Sequence, residues 1–361
     1  MTEPDDRPPV GGPDRATIIT TAALVIALCV TGIAVYLLHA SGRPAALPVV
    51  PSGSAAPTSI VDGPSPTPSL PGASTAPTGV PTGPATATPS GTPSKPAPSC
   101  IAKQVVHPVR AVTFNIHSAL HGRTVEIDQI AAELAQLKPD VVLLQEVDAH
   151  RGYSGWVDMP AVLSQALHMT YAFGVNVLGN TTSHGQSQYG TLILARYPIL
   201  SKTNTPLVNE PGLQQRGLLH VVLDVDGTHL SVYNTHLENN ARGRSQVDLR
   251  TRQAQQAATI VASDPNPLIV GGDFNSGPGS AAMNAMARVA SDPWSAIGIG
   301  SPNSHGAPRP TIRIDYLLNH GSGLKAVQAQ VGATAVSDHE PVVTDYQLTG
   351  TKLVGDCVHR S

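Results

Sequence analysis

The stretch PLIVGGDFN, residues 267–275, joins a short apolar run to two glycines, an acid and an amide. The apolar run predicts a buried strand that ends at the glycines. Residues i and i+2 of a strand point to the same side, so Asp273 and Asn275 can face one site together. A carboxylate that accepts a proton beside an amide that orients oxygen is suited to activating water. The alternative is a strand that ends in a polar turn without chemistry.

Other apolar segments of the chain end in the same way, on a side chain that could take part in chemistry. Any single ending of this kind is more often an ordinary turn residue or a structural histidine. Their repetition predicts one polar cluster at one edge of a sheet fold. The endings are Asn115, Glu146, Asn234 with His236, Asp315, and the run Ser337-Asp338-His339.

The segments that carry these endings form an ordered set of motifs over about residues 109–348. They are TFNIH, LLQEV, YGTLILARYPIL, QRGLL, YNTHL, GGDFN, RIDYLL and SDHEPV. In this order they resemble the endonuclease/exonuclease/phosphatase superfamily, which includes DNase I, abasic endonucleases, neutral sphingomyelinases and inositol-polyphosphate 5-phosphatases. The resemblance implies an α/β fold, a four-layer α/β sandwich in which two packed mixed β-sheets are flanked by helices. It also implies a metal-dependent phosphoric ester hydrolase.

Hydrophobic periodicity predicts where the elements of this domain lie. Helices are predicted over 124–137, with Thr124 as a candidate N-cap, and over 160–168 and 244–262. The Asp226-Gly227 step predicts a hairpin. The polar stretches 174–188 and 276–312 are predicted to be loops that shape the substrate mouth. Strands are predicted over 109–116, 141–147, 189–195, 217–225, 228–235, 267–271, 313–318, 325–331 and 341–348.

The resemblance implies a metal centre. Glu146 is its principal ligand, and Asn115 and Asp338 contribute. Carboxylate and amide oxygens favour Mg²⁺, or Mn²⁺ as an alternative, over zinc.

The resemblance also implies the catalytic roles. Asp273 is the general base on water, and Asn275 helps to orient that water. His339 donates to a phosphoryl oxygen in the transition state, and Asp315 holds its imidazole in the donor tautomer. His236 contacts the phosphate or assists the leaving group.

Four further residues are weaker candidates for substrate binding: His117, Tyr189, Arg196 and Arg216. Packing is the alternative role of Tyr189, and pairing with a carboxylate is the alternative role of the two arginines. The role of His117, which directly follows the FNI of the first motif, stays open.

The charge of the domain limits its partners only mildly. Residues 101–361 contain 18 Lys and Arg against 20 Asp and Glu, a net charge of −2. A domain that binds duplex DNA tightly usually carries a basic face. The substrate therefore stays open among nucleic acid, a phospholipid headgroup and a soluble phosphoester. One local group of cations follows YNTHL and is either a solvated helix face or a phosphate contact: Arg242, Arg244, Arg250 and Arg252.

The first part of the chain predicts a membrane anchor. Residues 16–38 carry no charge and are long enough to span a bilayer. Arg7 and Arg15 precede this span, which favours residues 1–15 as a cytoplasmic tail and the remainder of the chain as extracellular. The predicted localisation is a single-pass cell-membrane protein. The alternative is a signal peptide that is cleaved, which would leave a secreted protein.

Between the predicted span and the domain lies a Pro/Ser/Thr-rich stretch, residues 39–99. It lacks apolar periodicity, so we expect a disordered linker. The domain then covers residues 100–361 and is expected to be a monomer. Cys100 and Cys357 lie at its two ends, and the resemblance implies that these ends are close. A disulfide between them is expected, with two free thiols as the alternative.

Two classes of function remain for the domain. The first is a hydrolase of phosphate esters, and the second is a catalytically inactive binding module on the same scaffold. The presence of every acid, amide and imidazole named above favours the enzyme.

Overall fold

The computed structural model describes residues 100–239 and 244–354. In these ranges no helix has both the length and the apolar character needed to cross a membrane. The predicted span at 16–38 and the predicted linker at 39–99 lie outside the described residues. Cys100 is described and Cys357 is not, so the bridge between them stays a prediction.

The described strands, in chain order, are β1 Ile101–Asn115, β2 Leu120–His121, β3 Thr124–Val125, β4 Val141–Ala149, β5 Thr170–Thr182, β6 Gly185–Ala195, β7 Ile199–Pro206, β8 Gly217–Val225, β9 Thr228–His236, β10 Leu268–Asp273, β11 Gly298–Ile299, β12 Asp315–His320, β13 Leu324–Val331 and β14 Val342–Val354. The helices are α1 Ile127–Leu137, α2 Met159–Leu167, α3 Arg244–Ala262, α4 Ala281–Met286 and α5 Trp294–Ile297.

Two mixed sheets organise the domain. The larger has seven strands in the order β11-β13-β14-β1-β4-β6-β5, and the smaller has five in the order β12-β10-β9-β8-β7. Most neighbours are antiparallel, but three pairs are parallel: β1 with β4 and β11 with β13 in the first sheet, and β9 with β10 in the second. β2 and β3 form a separate two-stranded hairpin.

Three hydrophobic clusters show how the layers stack. The central cluster joins side chains of both sheets, such as Leu143 and Val232. A second cluster packs α1 and α2 on the outer face of the larger sheet, through residues such as Ile130. A third packs α3 and α4 on the outer face of the smaller sheet, through residues such as Val261. The order helix, sheet, sheet, helix confirms the predicted four-layer α/β sandwich.

Strand register brings the polar endings together. Asn115 at the end of β1 is level with Gln145 in β4, one residue before Glu146. In the other sheet, Asp273 at the end of β10 is level with both His236 and Asp315. Because parallel strands end at the same edge of a sheet, each sheet contributes one row of polar side chains to that edge.

Several predictions at the level of elements are wrong. Residues 174–188 are not a loop, because β5 and β6 extend through them as a hairpin. Thr124 belongs to β3 and does not cap α1, whose N-cap residue is Glu126 without a side-chain cap bond. The stretch 276–312 includes the short elements α4, α5 and β11. The Asp226-Gly227 hairpin is confirmed: both residues have positive φ, 51° and 89°.

Candidate active site

Glu146 reaches the site through a β-bulge. The pairing of β4 with β6 shifts register between Leu144 and Val147, and Glu146 has a φ of 56°. A bulge of this kind re-aims a side chain relative to the alternation of a regular strand. The Glu146 carboxylate remains partly exposed and accepts a hydrogen bond from Asn115 Nδ2 at 3.1 Å.

Asn115 links the two sheets. Its Nδ2 also donates to Asp273 Oδ2 at 3.1 Å, and its Oδ1 accepts from the backbone N–H of His117 at 3.0 Å. The chain turns sharply after it, because residues 117–119 all have φ near +50° although none is glycine. Backbone held in this sparsely populated region is typical of functional sites.

Asp273 lies at the centre of the arrangement and is 1% exposed. Its Oδ1 accepts from the backbone N–H of Asn275 at 2.8 Å. Burial and then the negative charge of Asp315 raise the pKa of Asp273 to about 7, against the opposing effects of His339, the Asn275 N–H and Asn115. A carboxylate with a raised pKa is a stronger base at neutral pH than an exposed one.

His339 and Asp315 form a buried pair. His339 Nδ1 lies 2.8 Å from Asp315 Oδ2, and His339 Nε2 lies 3.7 Å from Asp273 Oδ2. Burial lowers the pKa of His339, but the charge and hydrogen bond of Asp315, and then the charges of Asp273 and Asp338, raise it to about 10. The predicted orientation of the imidazole by Asp315 therefore matches the geometry, and the raised pKa favours the protonated ring at neutral pH.

His236 lies deeper than the sequence suggests. Its Nε2 is 3.1 Å from Asn275 Nδ2 and 3.5 Å from Asp273 Oδ2. Burial, then the positive charges of Arg216 and His339, hold its pKa well below the ordinary value. The lowered pKa favours a neutral imidazole at this position. The predicted contact of His236 with the phosphate, or its assistance to the leaving group, stays a prediction.

Asn275 is a left-handed residue with a φ of 48°. Its Nδ2 also donates to Leu237 O at 3.0 Å, and its carbonyl accepts from Arg250. These bonds fix the turn that lets its backbone N–H hold Asp273.

Asp338 stands at the exposed rim of the site. Its two oxygens lie 3.4 Å from His117 Nδ1 and 3.7 Å from His305 Nε2. The described residues contain two groupings of metal-ligand type, one of Asp273, Asp315 and His339 and one of His305, Asp338 and His339. The structure thus joins Asp338 to the histidines of the site, while Glu146 lies with Asn115.

The weaker candidates divide between the site and the opposite edge of the sheet. Tyr189 is buried, and burial followed by the charge of Glu146 raises its pKa. Arg216 is buried 3.5 Å from Glu238 and close enough to His236 to affect its pKa. Arg196 Nε donates to the carbonyl oxygen of Pro139 at 2.7 Å. Pro139 directly precedes β4, so Arg196 lies at the edge of the sheet opposite Asn115 and is not part of the site.

The predicted arginine cluster is only partly described. Arg250 donates to the carbonyl of Asn275 and Arg252 pairs with Glu210. Arg242 and the side chain of Arg244 lie outside what the structure describes. Arg250 is thereby tied to the loop after β10, while Arg252 is a surface ion pair.

Two residues that contact the buried pair were not predicted from the sequence. Ser304 Oγ donates to Asp315 Oδ2 at 2.7 Å, and the His305 ring packs edge-on against His339 with centroids 4.5 Å apart. Both belong to the stretch 276–312, which lacks periodicity. The only signal was the run Ser-His within a Gly/Pro-rich loop, and such a run is not specific.

The family model for the endonuclease/exonuclease/phosphatase family matches residues 112–339, more than half of the chain and all of the site described above. The chain belongs to this family. A curated UPF0294 protein of Yersinia pseudotuberculosis is 29% identical over 141 residues, which cover 37% of this chain and 49% of that protein. The chain thus spans about half the length of the curated relatives it matches.

Solved structures share the fold. An endonuclease/exonuclease/phosphatase from Beutenbergia cavernae aligns with a TM-score of 0.57 and 26% identity, covering 67% of this chain and 72% of that one. The mannosyl-6-phosphatase of Bacteroides thetaiotaomicron aligns with a TM-score of 0.52 and 16% identity, covering 68% of this chain and 99% of that one. The human Nocturnin catalytic domain with bound sulfate aligns with a TM-score of 0.51 and 18% identity, covering 70% of this chain and 98% of that one. The last two similarities establish the fold alone.

Proposed function

We propose that this protein is a divalent-metal-dependent hydrolase of phosphate esters. The observation that carries the proposal is the buried row Asp315, His339 and Asp273, in which the imidazole stands between two carboxylates. Membership of the endonuclease/exonuclease/phosphatase family supports the same reaction class.

In the proposed reaction, Asp273 accepts a proton from water as the water oxygen bonds to phosphorus and an ester P–O bond breaks. His339 donates from Nε2 to a phosphoryl oxygen, where negative charge accumulates. Asp315 holds the other ring nitrogen and so fixes the donor tautomer. The Asn275 N–H keeps the Asp273 carboxylate in place, which reduces the motion needed before attack.

The donor set fits a hard divalent cation such as Mg²⁺ or Mn²⁺. Glu146 and Asp338 retain solvent-accessible carboxylates, and neither pairs with a lysine or arginine among the described residues. Asn115 turns its amide nitrogen toward Glu146 and Asp273, and its Oδ1 accepts from the His117 N–H. To serve as a ligand beside Glu146, it would need the amide oxygen and nitrogen exchanged, with loss of the bond to His117. When bound, such an ion would neutralise phosphoryl oxygens and stabilise the leaving oxygen.

The cellular setting completes the proposal. Residues 16–38 would anchor the protein in the membrane and residues 39–99 would hold the domain outside the cell. Secretion after cleavage of a signal peptide is the alternative. An extracellular position is compatible with nucleic acid, lipid or small phosphoesters as substrate.

A panel of substrates tests the proposal directly. The full chain would be given plasmid DNA, RNA, sphingomyelin, phosphatidylinositol, sugar phosphates and p-nitrophenyl phosphate esters, each with Mg²⁺, Mn²⁺ or EDTA. We expect release of product from at least one class, and loss of that activity in EDTA. Undiminished activity in EDTA would remove the metal from the proposal, and absence of turnover across the panel would favour the inactive binding module.

A further inference from the structure

A cavity of about 510 Å³ opens beside the rim of the candidate active site. One wall is the turn after β1 together with the hairpin of β2 and β3. The other wall comes from residues 307–308 and 334–338. His117 and Asp338 belong both to the cavity and to the candidate active site, and the two cavity walls meet at their contact of 3.4 Å.

The chemistry of the lining is unlike that of a phosphate pocket. Small or apolar side chains predominate, among them Leu120, Ala307, Pro308, Ala335 and Val336, and the lining includes no lysine or arginine. Its titratable groups are the imidazoles of His117 and His121 and one carboxylate, that of Asp338. An uncharged apolar group therefore suits this space better than another phosphate.

A second cavity, of about 670 Å³, includes His305 in its lining. Its surface is also largely apolar, but two arginines, Arg250 and Arg313, belong to it. Arg250 donates to the carbonyl of Asn275, and Arg313 pairs with Asp292. The two cavities therefore differ in that arginines line the second, whereas no arginine lines the first.

Hydrogen bonds fix the walls of the apolar cavity to the catalytic strands. Ser337 Oγ donates to Asn115 O at 2.7 Å, and the backbone N–H of Ala307 donates to Asp338 O at 3.0 Å. On the outer side, Thr334 Oγ1 donates to Glu133 Oε2 at 2.6 Å, which ties the wall to α1. The cavity is thus formed before any substrate binds, which lowers the cost of ordering it on binding.

We propose that this cavity is a subsite for an uncharged apolar group esterified to the scissile phosphate. The inference rests on the proposed hydrolase function and narrows its substrate class to phosphate esters with an alkyl or aryl substituent. A volume of about 510 Å³ lies in the range of small-molecule sites and admits a ring or a short chain. Soluble esters and phospholipids share this chemistry.

A homologous series tests the subsite. The wild-type protein would be given p-nitrophenyl methyl, butyl and hexyl phosphates, which all release p-nitrophenolate. Burial of each added methylene is expected to raise kcat/KM by up to about fourfold. In Ala335→Phe, where the added ring fills the cavity, the ratio of hexyl to methyl activity is expected to fall toward one. Leu120→Asp, which places a charge in the opposite wall, is expected to do the same.

Ala287→Phe is the matched control, because Ala287 is also an exposed alanine but lies at a separate cavity beside α4. It is expected to keep the wild-type ratio. A wild-type ratio near one, or an unchanged ratio in both Ala335→Phe and Leu120→Asp with native circular dichroism, would overturn the subsite.

A binding measurement separates this inference from the proposed function. Calorimetry with hexyl phosphate and methyl phosphate needs no turnover. Tighter binding of hexyl phosphate that is lost in Ala335→Phe would support the subsite even if no ester were hydrolysed, whereas equal binding of the two would count against it. Hydrolysis of phospholipid in vesicles would assign the apolar group to a lipid, and turnover of the soluble esters alone would assign it to a small substrate.

Discussion

Asp273 is the residue on which the proposed chemistry depends most directly. Its carboxylate has a pKa raised to about 7 and is held by the backbone N–H of Asn275. We expect Asp273→Asn to lower kcat by a factor on the order of 10²–10⁴, because the water loses its base. KM should change far less, since the residue acts after the substrate binds. Steady-state kinetics on the best substrate of the panel measures both.

Glu146, a predicted metal ligand, provides a comparison with the predicted base Asp273. Glu146→Gln should weaken the metal and leave the base intact, so excess Mg²⁺ should restore part of its activity but none of that lost in Asp273→Asn. Near-normal kcat in Asp273→Asn would show that the assigned mechanism is wrong even though the fold is right.

The Asp315–His339 pair predicts a pH effect. The charge and hydrogen bond of Asp315 help to raise the pKa of His339 to about 10, so the wild type should lose activity at alkaline pH as His339 loses its proton. Activity should also fall below about pH 7, as the proposed base Asp273 is protonated. In Asp315→Asn the charge is absent, the pKa falls, and the alkaline limb of the pH–kcat profile should move to lower pH.

Asp345→Asn is the control for that measurement, because Asp345 pairs with Arg110 at the opposite end of the sheet. It should leave the alkaline limb where it is. If the limb stays in place in Asp315→Asn as well, His339 is not the group that titrates.

The main acids and imidazoles of the site could be predicted from the sequence because each follows an apolar strand. The sequence does not show the lowered pKa of His236, because it results from burial and from the neighbouring charges of Arg216 and His339 in the folded chain. Ser304 and His305 could not be predicted for a related reason. They are placed by a loop without periodicity, and only the folded chain brings them to His339.

At the scale of elements, helices and strands were predicted correctly where burial of one face gives the sequence a regular hydrophobic period. The helix α1 and the hairpin of β8 and β9 follow their patterns closely. Prediction failed for β5 and for the first residues of β6, which are polar because that part of the hairpin extends into solvent. The remainder of β6 agrees with the strand predicted over 189–195. The β-bulge at Glu146 could not be predicted either, because a single inserted residue leaves no distinct pattern in the sequence and resembles an ordinary strand end.

The two sheets are joined by a buried amide pair that gives a prediction for stability. Asn234 Oδ1 accepts from Gln145 Nε2 at 2.8 Å, and its Nδ2 donates to the carbonyls of Leu144 and Leu192 at 2.9 Å each. Asn234→Leu removes the amide donor of both carbonyls, while Gln145 Nε2 keeps Thr113 Oγ1 as an acceptor. The substitution should lower the free energy of unfolding by roughly 1–3 kcal/mol. Urea denaturation measures the change.

A double-mutant cycle tests the coupling across the sheets. Gln145→Leu combined with Asn234→Leu should cost less than the sum of the single changes, because the second substitution removes a group that the first left unpaired. Strict additivity would mean that the two amides act independently.

At the scale of the whole molecule, the prediction concerns where the domain works. The uncharged run 16–38 and the preceding Arg7 and Arg15 predict that the chain beyond the run is outside the cell. Protease added to intact cells should therefore cut within the proline-rich stretch 39–99 and release the folded domain, because extended, unpacked chain is the preferred substrate of proteases. The measurement is an immunoblot of cells and medium with an antibody against the domain.

The control for this experiment is a cytoplasmic protein probed on the same blot, which should survive until the cells are lysed. Protection of the domain until lysis would reverse the predicted orientation. Domain already present in the medium before protease, with an N-terminus near Ser41, would favour a cleaved signal peptide. The two outcomes also bear on substrate: a tethered enzyme meets esters at the cell surface, whereas a released one samples the medium. The series of alkyl phosphates should therefore be repeated on the form that the blot identifies.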